Sequence, residues 1–139
     1  MAVTFAPIHI QTANAVPQTI TAANTARDGS GSLVTLITAG TNGTRVDSIT
    51  FTNNAAAVGA SVLKVVRVFL TDNSGLNPQL IQEALLPLIT SSNTVLGATV
   101  TINFPGGLFI KSGQIVKVAQ SLCATTADNS SVWFIAADY

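Results

Sequence analysis

The sequence predicts an all-β protein: a single domain of about eight to ten short strands arranged as a sandwich or barrel. β-Branched residues dominate its apolar stretches, and Gly, Asn or Pro interrupts these stretches about every ten residues. A length of 139 residues suits one domain. The chain contains neither an internal repeat nor a linker that would divide it. We therefore expect one domain over residues 1–139.

The N-terminal part of the chain carries the weakest strand signals. Thr4–Ile10 predicts a first strand, in which Pro7 indicates an edge or a bend because proline cannot donate to a sheet ladder. Val16–Thr21 predicts a second, weaker extended piece. Asn24–Ser32 is rich in Gly and Ser and predicts a flexible loop. Residues 1–32 are thus consistent with an extended arm followed by a loop.

Two β-rich runs, Leu33–Ala39 and Arg45–Thr52, flank the segment Gly40–Thr44. The Asn-Gly pair in that segment tolerates the positive φ angles of a tight turn, so the pattern predicts a β-hairpin. The small residues of Asn53–Ala60 predict a loop, although three consecutive alanines would also allow a helical turn.

Val62–Thr71 is the strongest strand prediction in the chain. Both of its faces are largely apolar, with Arg67 on one of them, as expected for a central strand that is covered on each side. Asp72–Gly75 then predicts a turn. The next run, Gln79–Leu86, fits a helical period as well as a strand, but Pro87 would limit a helix to about two turns. We expect a strand leading into a loop, because the surrounding context is all β.

Three further patterns predict strands near the C-terminus. Thr99–Phe104 alternates strictly, with its apolar residues inward and its polar residues outward. Pro105–Gly107 predicts a turn, and Lys111–Gly113 predicts the turn of a second hairpin between the runs on either side of it. Val132–Tyr139 predicts the last strand, with one apolar set on the core face: Trp133, Ile135 and Ala137.

Charge is scarce along the whole chain. Charged residues make up 9% of it, against about 25% in a typical soluble protein. Six Lys and Arg balance six Asp and Glu, so the formal net charge is zero. Because there is no basic field to hold a phosphate backbone, we expect no nucleic-acid partner. A neutral surface also lacks the repulsion that keeps monomers apart, so we expect the protein to associate.

A mean hydropathy of +0.49 raises the question of a membrane span, but no apolar stretch is continuous enough. A transmembrane helix needs about 20 mainly apolar residues. The strongest stretch, Val58–Leu70, is interrupted by Lys64 and Arg67. The segment Met1–Phe5 shows neither the charged region nor the long apolar region of a secretory signal. We expect a soluble protein made in the cytoplasm, without a membrane partner.

The residues that carry catalysis are scarce as well. His9 is the single histidine, and no G-x-S-x-G nucleophile motif is present, so we expect no enzyme activity. Cys123 has no second cysteine with which to form a zinc or redox site and is expected to be a small buried apolar residue. Asp72–Gly75 superficially resembles part of a calcium loop, but the alternating carboxylates are missing and a β-turn explains it. No cofactor or metal is predicted.

Two aromatic residues are candidate platforms for a sugar, namely Trp133 and Tyr139. Trp133 alternates with Ile135, so the core position is favoured for its side chain.

Two segments carry a resemblance to a known family: Arg67–Pro78 (RVFLTDNSGLNP) and Gly106–Val118 (GGLFIKSGQIVKV). Both are similar to stretches of small structural proteins of tailed bacteriophages, and the chain resembles the capsid cement (decoration) proteins of short-tailed phages. The resemblance implies a jelly-roll-like β-sandwich that docks as dimers on the outside of a capsid built from a separate major capsid protein. It also implies synthesis in the cytoplasm of a bacterial host and a final location on the virion exterior.

The leading hypothesis is therefore a non-enzymatic virion protein that stabilises a capsid by bridging major capsid protein subunits. The alternative is a phage tail or fibre module that binds carbohydrate or a receptor. A depolymerase would require paired carboxylates within about 5–10 Å. Candidate contact residues lie in the N-terminal arm, the Gly/Ser-rich loop and the turn after the central strand: Phe5, Pro7, Ile8, Arg27, Asp28, Asp72, Asn73 and Asn77.

Overall fold

The computed structural model of the chain describes the main chain of residues 12–14 and all atoms of residues 16–54, 62–89, 95–123 and 128–139. Across these ranges the regular structure is entirely β. Nine strands are formed: β1 (Thr12–Asn14), β2 (Gln18–Ile20), β3 (Val34–Thr38), β4 (Thr44–Asn53), β5 (Lys64–Leu70), β6 (Gln79–Leu86), β7 (Thr99–Ile110), β8 (Ile115–Gln120) and β9 (Ser130–Asp138).

The strands form two antiparallel sheets that pack as a sandwich. Sheet A has five strands in the order β1-β9-β4-β7, with β2 also paired to β9. Sheet B has four strands in the order β3-β8-β5-β6. From β2 to β5 and from β6 to β9, consecutive strands alternate between the sheets, so β2–β9 are arranged 2-9-4-7 against 3-8-5-6, the order of an eight-stranded jelly roll. The predicted all-β, jelly-roll-like sandwich is confirmed.

The core lies between the inner faces of the two sheets. Central strand β4 contributes Val46, Ile49 and Phe51, all fully buried, and β5 contributes Val66 and Val68 from the opposite sheet. These positions alternate along their strands with residues that face outward, as the pleat requires. The alternation predicted for 99–104 is confirmed, because Ile102 is buried while its polar neighbours are exposed. The other buried residues of the core are Ile20, Leu36, Ile37, Leu86, Ala98, Ile110, Val116, Val118, Val132, Phe134 and Ala136.

Both predicted hairpins are wrong in the same way. The turns form as expected: the Gly43 N–H donates to the Gly40 carbonyl at 3.0 Å, and the Gln114 N–H donates to the Lys111 carbonyl at 3.0 Å. However, β3 and β4 belong to different sheets, and so do β7 and β8. Each turn is therefore an arch between the sheets. Turn residues set the local reversal of the chain, whereas the partner of each strand is decided by the burial of its apolar face.

The predicted turn at residues 105–107 is also wrong, because β7 continues through it. Its register against β4 steps from Val46 opposite Leu108 to Ser48 opposite Asn103. Four residues of β7 thus lie opposite one residue of β4, which makes this an irregular β-bulge larger than the common two-to-one types. Gly106 and Gly107 adopt φ angles of 83° and 85° in it, a conformation that glycine adopts without strain.

Two predictions in sheet B are confirmed. β5 lies between β8 and β6, so it is a central strand. Residues 79–86 form strand β6 and not a helix, paired to β5 over most of its length. Its neighbour in the sheet, not its own periodicity, decides its conformation.

One end of the sandwich contains a buried ion pair. The Lys64 Nζ lies 2.5 Å from the Asp128 Oδ1, and both side chains are fully buried. The Gln120 amide donates to the Asp128 main-chain carbonyl at 3.3 Å. Cys123, predicted to be a small buried apolar residue, is only half-buried, and its Sγ lies 3.1 Å from the same carbonyl. The prediction is wrong because Cys123 lies in irregular chain after β8 and not on an inner strand face.

Several predictions fall outside the described residues. They are the strand at Thr4–Ile10, the role of His9, and the conformation of residues 55–60. Within the described ranges, no helix is long and apolar enough to cross a membrane.

Candidate interaction surface

Trp133 and Ile135 lie on the outside of sheet A, and their predicted core position is wrong. Their side chains are 44% and 52% exposed, whereas Val132 and Phe134 are buried. The neighbouring residues of β9 are apolar on both faces, so alternation alone cannot select the inner one. The selection is made by pairing with β4, where Phe134 lies opposite the fully buried Ile49.

The outer face of sheet A is a regular array of hydroxyl, amide and apolar side chains. Across the sheet, Thr50 of β4 lies between Trp133 of β9 and Thr101 of β7. The Thr50 and Thr101 hydroxyl oxygens are 2.9 Å apart and share a hydrogen bond. We call this array the threonine face, and its members are Ser48, Thr50, Thr52, Thr99, Thr101, Asn103, Ser131, Trp133 and Ile135.

No member of the threonine face carries a charge. At one end of the face, Arg45 is paired with its own neighbour, since the Arg45 Nε lies 2.8 Å from the Asp47 Oδ1. The hydrogen bond that Arg45 donates to the Asp47 carboxylate raises the pKa of the Arg45 guanidinium above its usual value. A partner that covers the threonine face would therefore desolvate hydroxyl and apolar groups but no unpaired charge, which avoids the main cost of burying polar surface.

A cavity of about 330 Å³ opens next to the threonine face, where the two arches meet. We call this the arch-end cavity. Phe109 and Tyr139 lie beside it with nearly parallel rings, 6.3 Å between centroids and 17° between planes. The guanidinium carbon of Arg45 lies 6.0 Å from the centre of the Phe109 ring. The residues that line the cavity are Thr41, Asn42, Gly43, Thr44, Phe109, Ile110, Lys111, Ser112 and Tyr139.

Part of the outer face of sheet B is covered by the chain itself. Arg67 projects outward from β5 yet is only 5% exposed. Its Nη1 donates to the Asn24 carbonyl at 2.7 Å, and its Nε donates to Glu83 Oε1 at 2.7 Å. The Asn24 side chain in turn donates to the Ser30 and Ser32 carbonyls, each at 2.9 Å. The segment that follows β2 is thereby held against sheet B.

Electrostatics reinforce this cover. Arg27 from the covering segment reaches the same carboxylate oxygen, with its Nε 3.1 Å from the Glu83 Oε1. The hydrogen bond from Arg67, followed by the positive charge of Arg27, lowers the pKa of Glu83. The arrangement keeps Glu83 ionised and ties the segment to the edge strand β6.

The structure places two of the sequence-predicted contact residues, Arg27 and Asp28, in the covering segment over sheet B. Arg27 is exposed but engaged with Glu83, and the exposed Asp28 accepts hydrogen bonds from the main chain and hydroxyl of Ser30. Those bonds lower the pKa of Asp28. Both residues lie away from the threonine face, and their contact with a partner stays a prediction.

The turn at 72–77 forms around Asp72. Its Oδ1 accepts main-chain hydrogen bonds from Ser74 and Leu76, each at 2.9 Å, and its Oδ2 accepts the Asn77 amide at 2.7 Å. These donors, the Leu76 N–H first, lower the pKa of Asp72. Because both carboxylate oxygens bond to the turn itself, a β-turn accounts for the pattern that resembled a calcium loop. Asn73 is exposed in the same turn.

Among the predicted contact residues, Phe5, Pro7 and Ile8 lie outside the described part of the chain. The covering segment meets the residue that follows the turn at 72–77, because a Cβ on Gly29 would lie 2.2 Å from the Pro78 carbonyl oxygen. The sequence did not show that Trp133 and Ile135 belong to an outer face, because apolar residues occupy every position of 132–137 and do not distinguish the two faces of β9.

In the described ranges, no group of three or more His, Cys, Asp or Glu side chains could hold a metal ion. Comparison of the chain with protein-family models and with curated proteins finds no match.

Proposed function

We propose that this protein is a structural virion component, a cement protein that binds the outside of a phage capsid and bridges major capsid protein subunits. The observation that carries the proposal is the threonine face. It is an uncharged surface on three strands of sheet A, where Trp133 and Ile135 of β9 are exposed and Ser48 and Thr50 of the middle strand β4 are buried between their neighbours.

The threonine face can form only the middle of a docking surface. Its members occupy three strands about 4.8 Å apart and about 17 Å of strand length, which gives roughly 240 Å² of surface. A standard protein interface buries about 800 Å² per partner, so residues around the face would have to supply the rest of the contact. An exposed Trp is also the side chain most often found at the energetic centre of interfaces.

Low charge supports attachment at many equivalent positions. A cement protein meets a capsid lattice repeatedly, and each contact can be weak if several act together. Hydroxyl and apolar contacts keep their strength at high ionic strength, whereas exposed ion pairs are screened. We propose that the same neutral surface properties allow the protein to pair with a second copy on the lattice.

A binding assay on capsid shells tests the proposal. Purified protein added to undecorated phage shells should cosediment with them and give regular density at fixed lattice positions. The double variant Trp133→Ser, Ile135→Thr should lose at least about tenfold in affinity, because it removes the exposed apolar side chains of the face. The matched control is Leu85→Ser, which removes a side chain of similar exposure, 55%, from edge strand β6.

The outcomes separate clearly. Loss of binding in the double variant with retention in Leu85→Ser supports docking through the threonine face. Equal loss in both variants, or undiminished binding in the double variant, assigns the contact elsewhere. Absence of any binding by the unmodified protein to shells would overturn the capsid proposal itself.

A further inference from the structure

We propose that the arch-end cavity binds an acidic sugar residue of the uronate class. The proposal goes beyond attachment to a capsid and rests on a different part of the molecule. It makes the carbohydrate-binding alternative specific by assigning it to Tyr139 and the cavity beside it, not to Trp133.

The cavity is a consequence of the fold. The arch at 40–43 and the arch at 111–113 both cross between the sheets at this end, and the Tyr139 N–H donates to the Gly43 carbonyl at 3.1 Å. Gly43 allows the main chains of the two arches to approach closely beside the cavity, since a Cβ there would lie 2.9 Å from the Ile110 carbonyl oxygen. At about 330 Å³ the cavity is at the lower end of the range that small-molecule sites occupy.

Aromatic surface is present on one side of the cavity. Phe109 is 62% exposed, and its ring is nearly parallel to that of Tyr139. Sugar rings have apolar C–H faces that pack on aromatic rings, while their hydroxyls need donors and acceptors nearby. The exposed residues Thr41, Asn42 and Ser112 supply hydroxyl and amide groups around the rim.

Charge at the cavity favours an acid. Lys111 is exposed among the lining residues, none of which is an Asp or Glu. None of the four ion pairs formed between described residues involves Lys111. Two side-chain carboxylates of the adjoining strands are engaged: Asp47 pairs with Arg45, and Asp138 accepts a hydrogen bond from the Thr44 hydroxyl. A ligand carboxylate would thus meet an unpaired ammonium group beside an aromatic surface.

Titration of the full ¹⁵N-labelled chain followed by NMR tests this inference, with sodium D-glucuronate, D-glucose and sodium acetate as probes. Glucuronate should cause saturable shifts in residues 41–44, 109–112 and 139. The expected Kd is on the order of 1 mM, typical of a ligand of about a dozen heavy atoms. Glucose should bind more weakly, and acetate should not saturate.

Three variants at exposed side chains locate the site without threatening the fold. Lys111→Gln should weaken glucuronate binding about tenfold and leave glucose unchanged, because it removes only the charge-assisted contact. Phe109→Ala should weaken both sugars. The matched control, Trp133→Ala, removes an exposed aromatic residue outside the cavity and should change neither affinity.

Saturable shifts confined to the cavity, with the Lys111→Gln loss specific to glucuronate, support the proposal. Absence of saturation with glucuronate overturns it, as does an unchanged glucuronate affinity in Lys111→Gln. Equal responses to acetate and glucuronate overturn the sugar part of it. Lys111→Gln should still cosediment with capsid shells, so failure of this inference and failure of the capsid proposal are distinguishable.

Discussion

The outer faces of the two sheets differ in how far their large outward-facing side chains are covered. On sheet B, Arg67 projects outward but is buried, because the segment after β2 crosses the face and the Asn24 carbonyl accepts a hydrogen bond from the guanidinium. On sheet A, Trp133 and Ile135 project outward and remain about half exposed. The charged side chain on sheet B is thus covered by another segment of the chain, whereas the aromatic side chain on sheet A stays partly exposed beside the buried Thr50.

The two faces also differ in the side-chain interactions that stabilise them. Arg67, Glu83 and Arg27 form one network that attaches an irregular segment to sheet B. Sheet A uses hydroxyl pairs between neighbouring strands instead, such as Thr50 with Thr101. We interpret the first face as internal structure and the second as surface available to a partner.

Alanine substitutions at two neighbouring residues of β9 should give the largest difference in stability, and they test which face of the strand points to the core. Phe134→Ala should lower the free energy of unfolding by about 4 kcal/mol, because it leaves a cavity between the sheets. Trp133→Ala should lower it by about 1 kcal/mol or less, since that side chain is 44% exposed. Urea unfolding of both variants measures the difference. Comparable losses would contradict the assignment of faces.

Removal of the buried guanidinium should give the next largest effect. Arg67→Met leaves Glu83 and the Asn24 carbonyl without their main donor, and we expect a loss of about 3 kcal/mol. Arg27→Met is the matched control, because it removes an exposed guanidinium from the same carboxylate and should cost about 0–1 kcal/mol. Chemical denaturation of both variants gives the comparison; a small effect of Arg67→Met would show that the cover over sheet B is dispensable.

Loosening the cover itself should have an intermediate effect. Asn24→Ala removes the amide that donates to the Ser30 and Ser32 carbonyls and accepts the Ala26 N–H at 2.9 Å. We expect a loss of about 2 kcal/mol together with faster hydrogen exchange confined to residues 24–32. Hydrogen exchange read by mass spectrometry measures the second quantity. Unchanged exchange in this segment would contradict its anchoring by Asn24.

Acidification should give the smallest effect. The pKa of Glu83 is lowered from 4.5, first by Arg67, so its ionised form stabilises the fold above that value. The stabilisation is lost as the pH falls through the lowered pKa, because the folded protein must then take up a proton against the network. We expect this group to contribute about 1 kcal/mol or less to the free energy of unfolding. Thermal unfolding measured between pH 6 and pH 3 should therefore show a smaller loss of stability in Glu83→Gln than in the unmodified protein. An identical decline in both proteins would assign the acid sensitivity to other carboxylates.

Much of the fold could be predicted from the sequence, because strand signals and turn signals are local. The alternation of 99–104, the central position of β5 and the turn at Asp72 all follow from residues close in the chain. The two hairpins could not be predicted correctly, since the turns at 40–43 and 111–113 form in the same way whether the next strand stays in the sheet or crosses to the other one. The bulge of β7 was missed for a related reason: Pro105 and two glycines suit a turn and a bulge equally.

Less of the candidate site could be predicted. The sequence indicated a neutral surface of Thr, Asn and Ser and a protein that associates, and both are properties of composition. Which of the two apolar sets of β9 faces outward depends on its register with β4, where Ile49 and Phe51 already face the core. The arch-end cavity brings together residues 41–44, 109–112 and 139, which no local pattern connects.

An all-β sandwich with few charges could be predicted from local patterns, because period-two patterning and turn chemistry act over a few residues. The choice of strands that share a sheet, the burial of Arg67 and the exposure of Trp133 depend on tertiary contacts. Those outcomes depend on pairings between residues about 40 to 90 positions apart, such as Thr50 with Trp133 and Arg67 with Asn24. Burial is a property of such long-range neighbours, and for that reason the surface on which the proposed function rests emerged only with the fold.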